Sequence, residues 1–131
     1  MREILFRGKR MDNGEWVYGY YVHIGPVSCQ RTYIIPEYAS ALYVNEVYPS
    51  TVGQYTGLND KHGKRIFEGD VAKVLQGKDK DIAYVGFENG AFMLYPKTGN
   101  IYERTLWSYW YNDWDVEVIG NIHDNPELLE K

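Results

Sequence analysis

Two Asn-Gly dipeptides constrain the fold of this chain more than any other feature. Asn13-Gly14 separates the β-prone residues 4–11 and 16–23, and Asn89-Gly90 follows the β-prone residues 82–87. Asn-Gly is the strongest short sequence signal for a two-residue type I′ turn between antiparallel strands, because both residues tolerate positive φ. The sequence therefore predicts a mainly β protein with a β-hairpin in each half.

The length of each turn also predicts which residues face each other across its hairpin. In the first hairpin, a two-residue loop places Lys9 opposite Tyr18 and Gly8 opposite Gly19, whereas a three-residue loop with a bulge removes the glycine pairing. Paired glycines leave a bare patch that a second layer of the structure or a ligand could approach. In the second hairpin, a two-residue loop stacks two apolar pairs, Phe87 on Phe92 and Val85 on Leu94.

Apolar runs between turn-forming residues predict the other elements. Residues 31–35 form a strand that Pro36 ends, and residues 42–44 are a further candidate. Residues 71–75 form a strand that a charged loop, residues 76–81, connects to the next. Residues 116–123 alternate with one strongly apolar face. Asn125-Pro126-Glu127 is a helix start signal, so we expect one C-terminal helical turn whose leucines cover an open barrel end.

The run between Thr51 and Val71 joins the two halves of the chain. Residues 59–63 supply a wide turn in which Gly63 takes positive φ, and residues 68–70 bend the chain before Val71. Small SH3-like barrels enter a strand through a similar Gly-Asp corner. We therefore predict an N-terminal β region, residues 1–58, and an SH3-like barrel domain, residues 59–131. Since no Gly/Ser/Pro-rich linker divides them, one intertwined unit is the alternative.

The charge pattern disfavours a protein dedicated to nucleic acid or membranes. The net charge is −4 and the pI is about 5.3, and no basic run is longer than a pair such as Lys9-Arg10. A protein that neutralises phosphates usually carries a basic stripe. No long apolar stretch or N-terminal signal segment marks insertion or export, and the single Cys29 cannot form an intrachain disulfide. These features predict a cytoplasmic protein without a membrane partner.

No group of residues has the spacing of a catalytic or metal site. His23, His62 and His123 are scattered, and without a second cysteine they do not match a zinc site. The aspartates near His62 and His123 lie in turns, where aspartates usually serve as turn formers and caps. Cys29 is expected to be buried, as lone cysteines commonly are. Phosphate-binding glycine loops are absent as well. We therefore predict that the protein is not an enzyme and uses no cofactor and no metal.

An aromatic-rich segment, residues 106–114, is the best candidate for a functional surface. In helical spacing it places Trp107, Trp110, Tyr111 and Trp114 on one stripe. These four residues are the candidate partner-binding site, because so many rings are hard to bury together in a small barrel and interface hot spots are enriched in Trp and Tyr. Alternatively, the stripe packs inside the chain against the N-terminal hairpin. The thirteen tyrosines allow the same two interpretations, a half-buried core or a partner surface.

Three ordered segments resemble the YopX-like proteins of phages and prophages. They are residues 6–10 with residues 14–19, the run 51–71, and residues 118–129. The resemblance implies a mostly β protein whose C-terminal part is an SH3-type barrel, and it implies a phage or prophage context. It brings no activity and no catalytic residues to this chain.

Two classes of function fit these observations. The preferred one is a non-enzymatic phage or prophage accessory protein that binds a protein partner, or a second copy of itself, through the aromatic stripe. The alternative is a nucleic-acid-binding module, suggested by the barrel analogy and by basic residues near Tyr18 and Tyr20, namely Arg7, Lys9 and Arg10. An enzyme ranks third, because no residues converge on a reaction.

Overall fold

The computed structural model describes residues 2–38, 44–112 and 114–130. Within these residues it contains eleven β-strands, one short α-helix and three single-turn 3-10 helices, which confirms the prediction of a mainly β protein. The strands are β1 (Phe6–Lys9), β2 (Trp16–Ile24), β3 (Arg31–Pro36), β4 (Asn45–Glu46), β5 (Gly53–Asn59), β6 (Arg65–Phe67), β7 (Asp70–Gln76), β8 (Asp79–Glu88), β9 (Ala91–Pro96), β10 (Arg104–Thr105) and β11 (Asp115–Asn121), and the helix is α1 (Leu106–Tyr111).

The chain divides into two compact units, Met1–Tyr55 and Thr56–Lys131. In the first unit the strands follow the order β4-β3-β2-β1, with antiparallel neighbours, and β1 also pairs with Gly53 and Gln54 at the start of β5. A small apolar core lies on this sheet, in which Phe6 and Val52 pack against the buried side chains of Val17, Ile34 and Val47.

The second unit is built on a five-stranded antiparallel sheet with the order β10-β9-β8-β7-β11. Strands β7 to β10 form a meander, and the last strand returns beside the first strand of that meander after helix α1. An SH3-type barrel has the same strand order, but closure into a barrel stays a prediction. The core of this unit comprises Ile66, Ala72, Val74, Ala83, Val85, Leu94, Ile101, Leu106, Tyr109 and Val116.

The first predicted hairpin is present, but its register is wrong. Strands β1 and β2 pair Gly8 with Val17, so each residue of β1 faces a different partner from the predicted one, and Gly8 does not face Gly19. Neither glycine leaves a bare patch. A Cβ at Gly8 would lie 3.1 Å from the Val47 side chain, and a Cβ at Gly19 would collide with the carbonyl oxygen of Ile35. Both glycines therefore allow close packing within the first unit.

The side chain of Asn13 explains why the first loop is longer than a type I′ turn. Its Oδ1 accepts a hydrogen bond from the Glu15 N–H at 2.9 Å. Gly14, at φ 72°, donates its N–H to the Arg10 carbonyl at 2.9 Å. A type I′ turn needs positive φ at both central residues, and in this loop only Gly14 has it. The result is a four-residue loop, residues 11–14.

The second predicted hairpin is confirmed in both its turn and its register. Asn89 and Gly90 have φ values of 52° and 82°, as a type I′ turn requires. The strands therefore twist together without a bulge, and the predicted apolar pairs face each other, Phe87 with Phe92 and Val85 with Leu94.

Several other predicted elements differ in their bounds. The predicted charged loop 76–81 is too long, because Gln76 pairs with Asp79 and only two residues connect β7 to β8. In β11 a bulge between Val118 and Gly120 interrupts the predicted alternation. Strand β3 ends at Pro36 as predicted, and a C-terminal 3-10 turn spans Pro126–Leu129. Residues 42 and 43 of the further candidate strand lie outside the described residues.

The Asp60 carboxylate holds together the predicted turn 59–63. Its Oδ1 accepts hydrogen bonds from the N–H groups of His62 and Lys64, both at 2.9 Å, and its Oδ2 accepts one from Val118 in β11 at 3.0 Å. Gly63 has the predicted positive φ, 81°. Burial alone raises the pKa of Asp60, but the three backbone donors outweigh it and hold the pKa below its usual value.

A second buried carboxylate, Asp81, fixes the loop between β9 and β10. It accepts hydrogen bonds from the Thr98 hydroxyl at 2.8 Å and from the N–H groups of Ile82, Thr98 and Asn100 at 2.8 to 3.2 Å. Burial again raises the pKa of this carboxyl, and the Thr98 hydroxyl and the backbone donors again lower it by more. Both carboxylates are therefore charged parts of the folded structure at neutral pH.

We expect Asp60→Ala to lower the free energy of unfolding by about 3 kcal/mol, because three backbone N–H groups lose a charged acceptor. Asp60→Asn keeps one acceptor oxygen, so we expect it to lower the free energy of unfolding by about half as much. Urea unfolding followed by circular dichroism measures both values. The control is Asp79→Ala, an exposed aspartate of β8. An equal loss for Asp60→Ala and the control would contradict the role given to Asp60.

The two carboxylates also predict how stability depends on pH. Their pKa values are lower in the folded than in the unfolded state, so their contribution is complete above the unfolded value of about 4 and decreases as the pH falls through the folded value. We expect the urea concentration at the unfolding midpoint to decrease as the pH is lowered below about 4. This decrease should be less steep in the double variant Asp60→Asn/Asp81→Asn. Identical slopes for the two proteins would refute this assignment.

Candidate functional site

The aromatic segment forms a helix that ends before Trp114. Thr105 caps helix α1, since its Oγ1 accepts a hydrogen bond from the Ser108 N–H at 3.2 Å. At the other end, the Asn112 backbone and side-chain amides both donate to the Ser108 carbonyl. The helix therefore ends at Tyr111, and the prediction that Trp114 continues the helical stripe is wrong.

Three rings of the segment lie on the surface. The side chains of Trp107, Trp110 and Tyr111 are exposed by 56%, 59% and 68%. Trp107 and Tyr111, one helical turn apart, stack with their ring centroids 4.9 Å apart. We call these three side chains the aromatic surface. Packing of the stripe against the N-terminal hairpin stays the alternative prediction.

The opposite side of the segment belongs to the core of the second unit. Leu106 and Tyr109 are buried, and the Tyr109 hydroxyl donates to the Tyr102 carbonyl at 3.3 Å. Burial raises the pKa of this hydroxyl. The half-buried Trp114 packs edge-on against Tyr109 at 5.1 Å, and the Arg104 guanidinium lies 5.7 Å from the Trp114 ring. These contacts fix the side of the helix from which the aromatic surface projects.

The buried and the exposed rings should differ in how much they contribute to the free energy of unfolding. We expect Tyr109→Ala to cost about 3–5 kcal/mol of unfolding free energy, because it opens a cavity in the core. Trp107→Ala removes an exposed ring and is expected to cost less than about 1 kcal/mol. Urea unfolding of the two single variants measures the difference. A larger loss for Trp107→Ala than for Tyr109→Ala would overturn the division into inner and outer rings.

A cleft of about 430 Å³ adjoins helix α1 within the second unit. It is lined by Trp110 and Trp114, by the turn residues Asp60 and Lys61, and by Asp115 of β11. We call it the tryptophan cleft. The apolar residues that line it are Leu58, Ile66, Leu106 and Val116.

The residues around the tryptophan cleft carry more negative than positive charge. Asp115 is exposed, and among the described residues no hydrogen bond or ion pair engages its carboxylate. The Lys61 amine lies 3.8 Å from a Glu117 carboxylate oxygen, and the His62 ring lies 3.3 Å from the other oxygen. Asp60 is engaged by backbone N–H groups and keeps its negative charge. The cleft therefore carries a net negative charge. The His62 ring lies beside Glu117, so it does not pair with the Asp60 carboxylate as a catalytic dyad would.

Sequence reasoning missed this cleft because its walls come from segments far apart in the chain. The turn 57–61 and the start of β11 are separated by more than fifty residues, and only the fold brings them beside helix α1. The one local signal was Asp115, a charged residue directly after Trp114. A charge next to an aromatic residue is too common to predict a site.

The basic residues that suggested nucleic-acid binding are already engaged within the first unit. Arg7 is buried, with its guanidinium 4.7 Å from the Trp16 ring, and the Lys9 amine lies 5.5 Å from the same ring. Arg10 donates two hydrogen bonds to Asp12, at 2.6 and 3.0 Å. These residues do not form an open basic stripe.

The remaining candidate groups stay apart. Within the described part of the chain, no three His, Cys, Asp or Glu side chains lie together as metal ligands would. His23 shares a hydrogen bond with the Thr32 hydroxyl at 2.9 Å. Cys29 is exposed, so the expectation that it is buried is wrong. Within the same described part, no helix is long and apolar enough to span a bilayer.

A family comparison identifies the relatives of this chain. The family model described as YopX protein matches residues 5–130, which is nearly the whole sequence. The chain belongs to the YopX family. The resemblance inferred from three segments is thereby confirmed. No curated protein matches this YopX family chain.

A solved structure is similar to this YopX family protein over its full length. It is the crystal structure of protein EF1440 from Enterococcus faecalis, with a TM-score of 0.57 and 23% sequence identity, and the match covers 99% of this chain and 100% of that chain. At this level of identity, the similarity shows a shared fold.

Proposed function

We propose that this YopX family protein is a non-enzymatic accessory protein of a phage or prophage that binds another protein in the bacterial cytoplasm. The observation that carries the proposal is the aromatic surface, in which three large rings are each more than half exposed on one helix. Exposed clusters of large apolar side chains mark interaction sites, and Trp and Tyr are enriched among the residues that dominate binding energy.

The setting of the aromatic surface supports this role. Its helix is capped by Thr105 and held by the buried side chains of Leu106 and Tyr109. A surface that is rigid before binding loses little conformational entropy when a partner docks. Trp114 contributes from the core side by supporting the wall of the tryptophan cleft. We take residues 59–131 as the SH3-type barrel that carries this surface.

A protein partner fits the charges better than nucleic acid does. The chain carries a net charge of −4, and the cleft next to the aromatic surface is itself negative. Phosphates would be repelled there, whereas a polypeptide can present apolar and basic side chains together. A second copy of the chain is included among the protein partners.

Affinity capture from bacterial lysate, with and without nuclease, tests the proposal. We expect the tagged protein to retain a nuclease-resistant protein, and the double variant Trp107→Ala/Trp110→Ala to retain at least about tenfold less, because such anchors are worth roughly 2 kcal/mol or more each. The matched control is Tyr20→Ala, since Tyr20 is exposed by 55%, about as much as Trp107, but lies on β2.

The outcomes of the capture experiment are distinct. Equal capture by the double variant and the control would refute the role of the aromatic surface. Retention that disappears with nuclease would favour the nucleic-acid alternative. Light scattering of the purified protein over a range of concentrations covers self-association, which the double variant should abolish if the partner is a second copy.

A further inference from the structure

We propose that the tryptophan cleft binds an arginine or lysine side chain of a partner polypeptide, with the cation between the Trp110 indole and the Asp115 carboxylate. The inference deepens the proposed function and rests on it, since it gives the chemistry of the partner at one position. The size of the cleft, its charge and its open indole all fit such a side chain.

The size and lining of the cleft suit a long side chain with a charged end. Its volume of about 430 Å³ exceeds that of a single side chain. The buried residues Ile66, Leu106 and Val116 supply apolar walls for an aliphatic stem. Lysine and arginine bury such stems while their charged ends stay near water.

The charges of the cleft select a cation. Asp115 offers an exposed carboxylate that is not engaged by any of the described residues, and the buried Asp60 adds a second negative charge to the lining of the cleft. The positive charge of Lys61 is balanced by Glu117 at 3.8 Å. An anionic side chain would be repelled, and a neutral apolar one would take water from Asp115 without replacing its hydrogen bonds.

The Trp110 indole provides the second half of the cation site. Its ring is more than half exposed, and among the described residues it stacks on no other ring and lies under no cation. A guanidinium or ammonium group over an indole face is attracted by the ring electrons. Two other indoles already make this contact, since Arg7 lies 4.7 Å from the Trp16 ring and Arg104 lies 5.7 Å from the Trp114 ring.

The position of Trp110 joins the cleft to the aromatic surface. The same ring lines the cleft and projects beside Trp107 and Tyr111 on helix α1. A polypeptide that inserts one basic side chain into the cleft can therefore cover the exposed rings with its neighbouring residues. The partner segment we infer is thus a basic residue flanked by apolar ones.

Peptide titration followed by NMR tests this inference directly. The probes are acetyl-Leu-Arg-Leu-amide and acetyl-Leu-Gln-Leu-amide, and the readout is the indole N–H resonances of the four tryptophans, assigned from single Trp→Phe variants. We expect the arginine peptide to shift the Trp110 and Trp114 resonances and to bind at least about fivefold more tightly than the glutamine peptide. Trp110→Ala should abolish this binding, and Tyr20→Ala, which changes an exposed ring on β2, should preserve it.

The charge contribution has its own matched pair of variants. Asp115→Asn should weaken the arginine peptide about threefold, as expected for an exposed ion pair, while Asp79→Asn leaves the affinity unchanged. Equal affinity for the two peptides, equal behaviour of the two Asp→Asn variants, or shifts confined to Trp16 and Trp107 would each overturn the inference. The inference would also be overturned if the Trp110 resonance shifted with protein concentration and not with added peptide, because a second copy of the chain would then occupy the cleft.

The two proposals fail in different ways. If Trp107→Ala/Trp110→Ala loses lysate capture but the peptides show no preference for arginine, the inference about the cleft falls and the protein-binding function stands. If the arginine peptide binds as expected but capture is equal in all variants, the cleft site stands and the role of the wider aromatic surface falls.

Discussion

The second unit depends on the hydrogen bonds that the Asp60 carboxylate accepts. One oxygen closes the turn between β5 and β6, and the other reaches the backbone of β11, fifty-eight residues later. A single charged side chain therefore joins the turn before β6 to the last strand of this unit. Since β11 pairs with β7, and helix α1 leads into β11, the position of the tryptophan cleft follows from the same contact.

The aromatic residues of this protein have two roles that composition alone does not separate. Tyr109 and Trp114 pack edge-on within the core, whereas Trp107, Trp110 and Tyr111 point away from it, although all five lie within eight consecutive positions. The division follows from the short helix, because one of its sides packs on the core and the opposite side faces solvent. A helix reaching residue 114 would place Trp114 with the exposed rings.

Local signals were reliable where the backbone alone decides the conformation. Asn89-Gly90 forms the predicted type I′ turn, and its register followed from that, because both residues adopt positive φ. At Asn13-Gly14 the same dipeptide failed, since the Asn13 side chain bonds to the backbone and stabilises a longer loop. The four predicted site residues were chosen by residue type alone and stay a prediction, and the cleft was missed because its walls are distant in sequence. Long-range contacts of that kind leave no periodic signal in a chain.

The short strand β10 limits how a partner can attach. It contains only two residues, and helix α1 begins at the next residue, so this edge of the five-stranded sheet offers little unpaired backbone. An extended polypeptide gains affinity from a sheet edge by adding a strand to it, and the helix takes the place where such a strand would continue. The partner binding that we propose beside α1 therefore has to read side chains, which would make it sensitive to the partner's sequence.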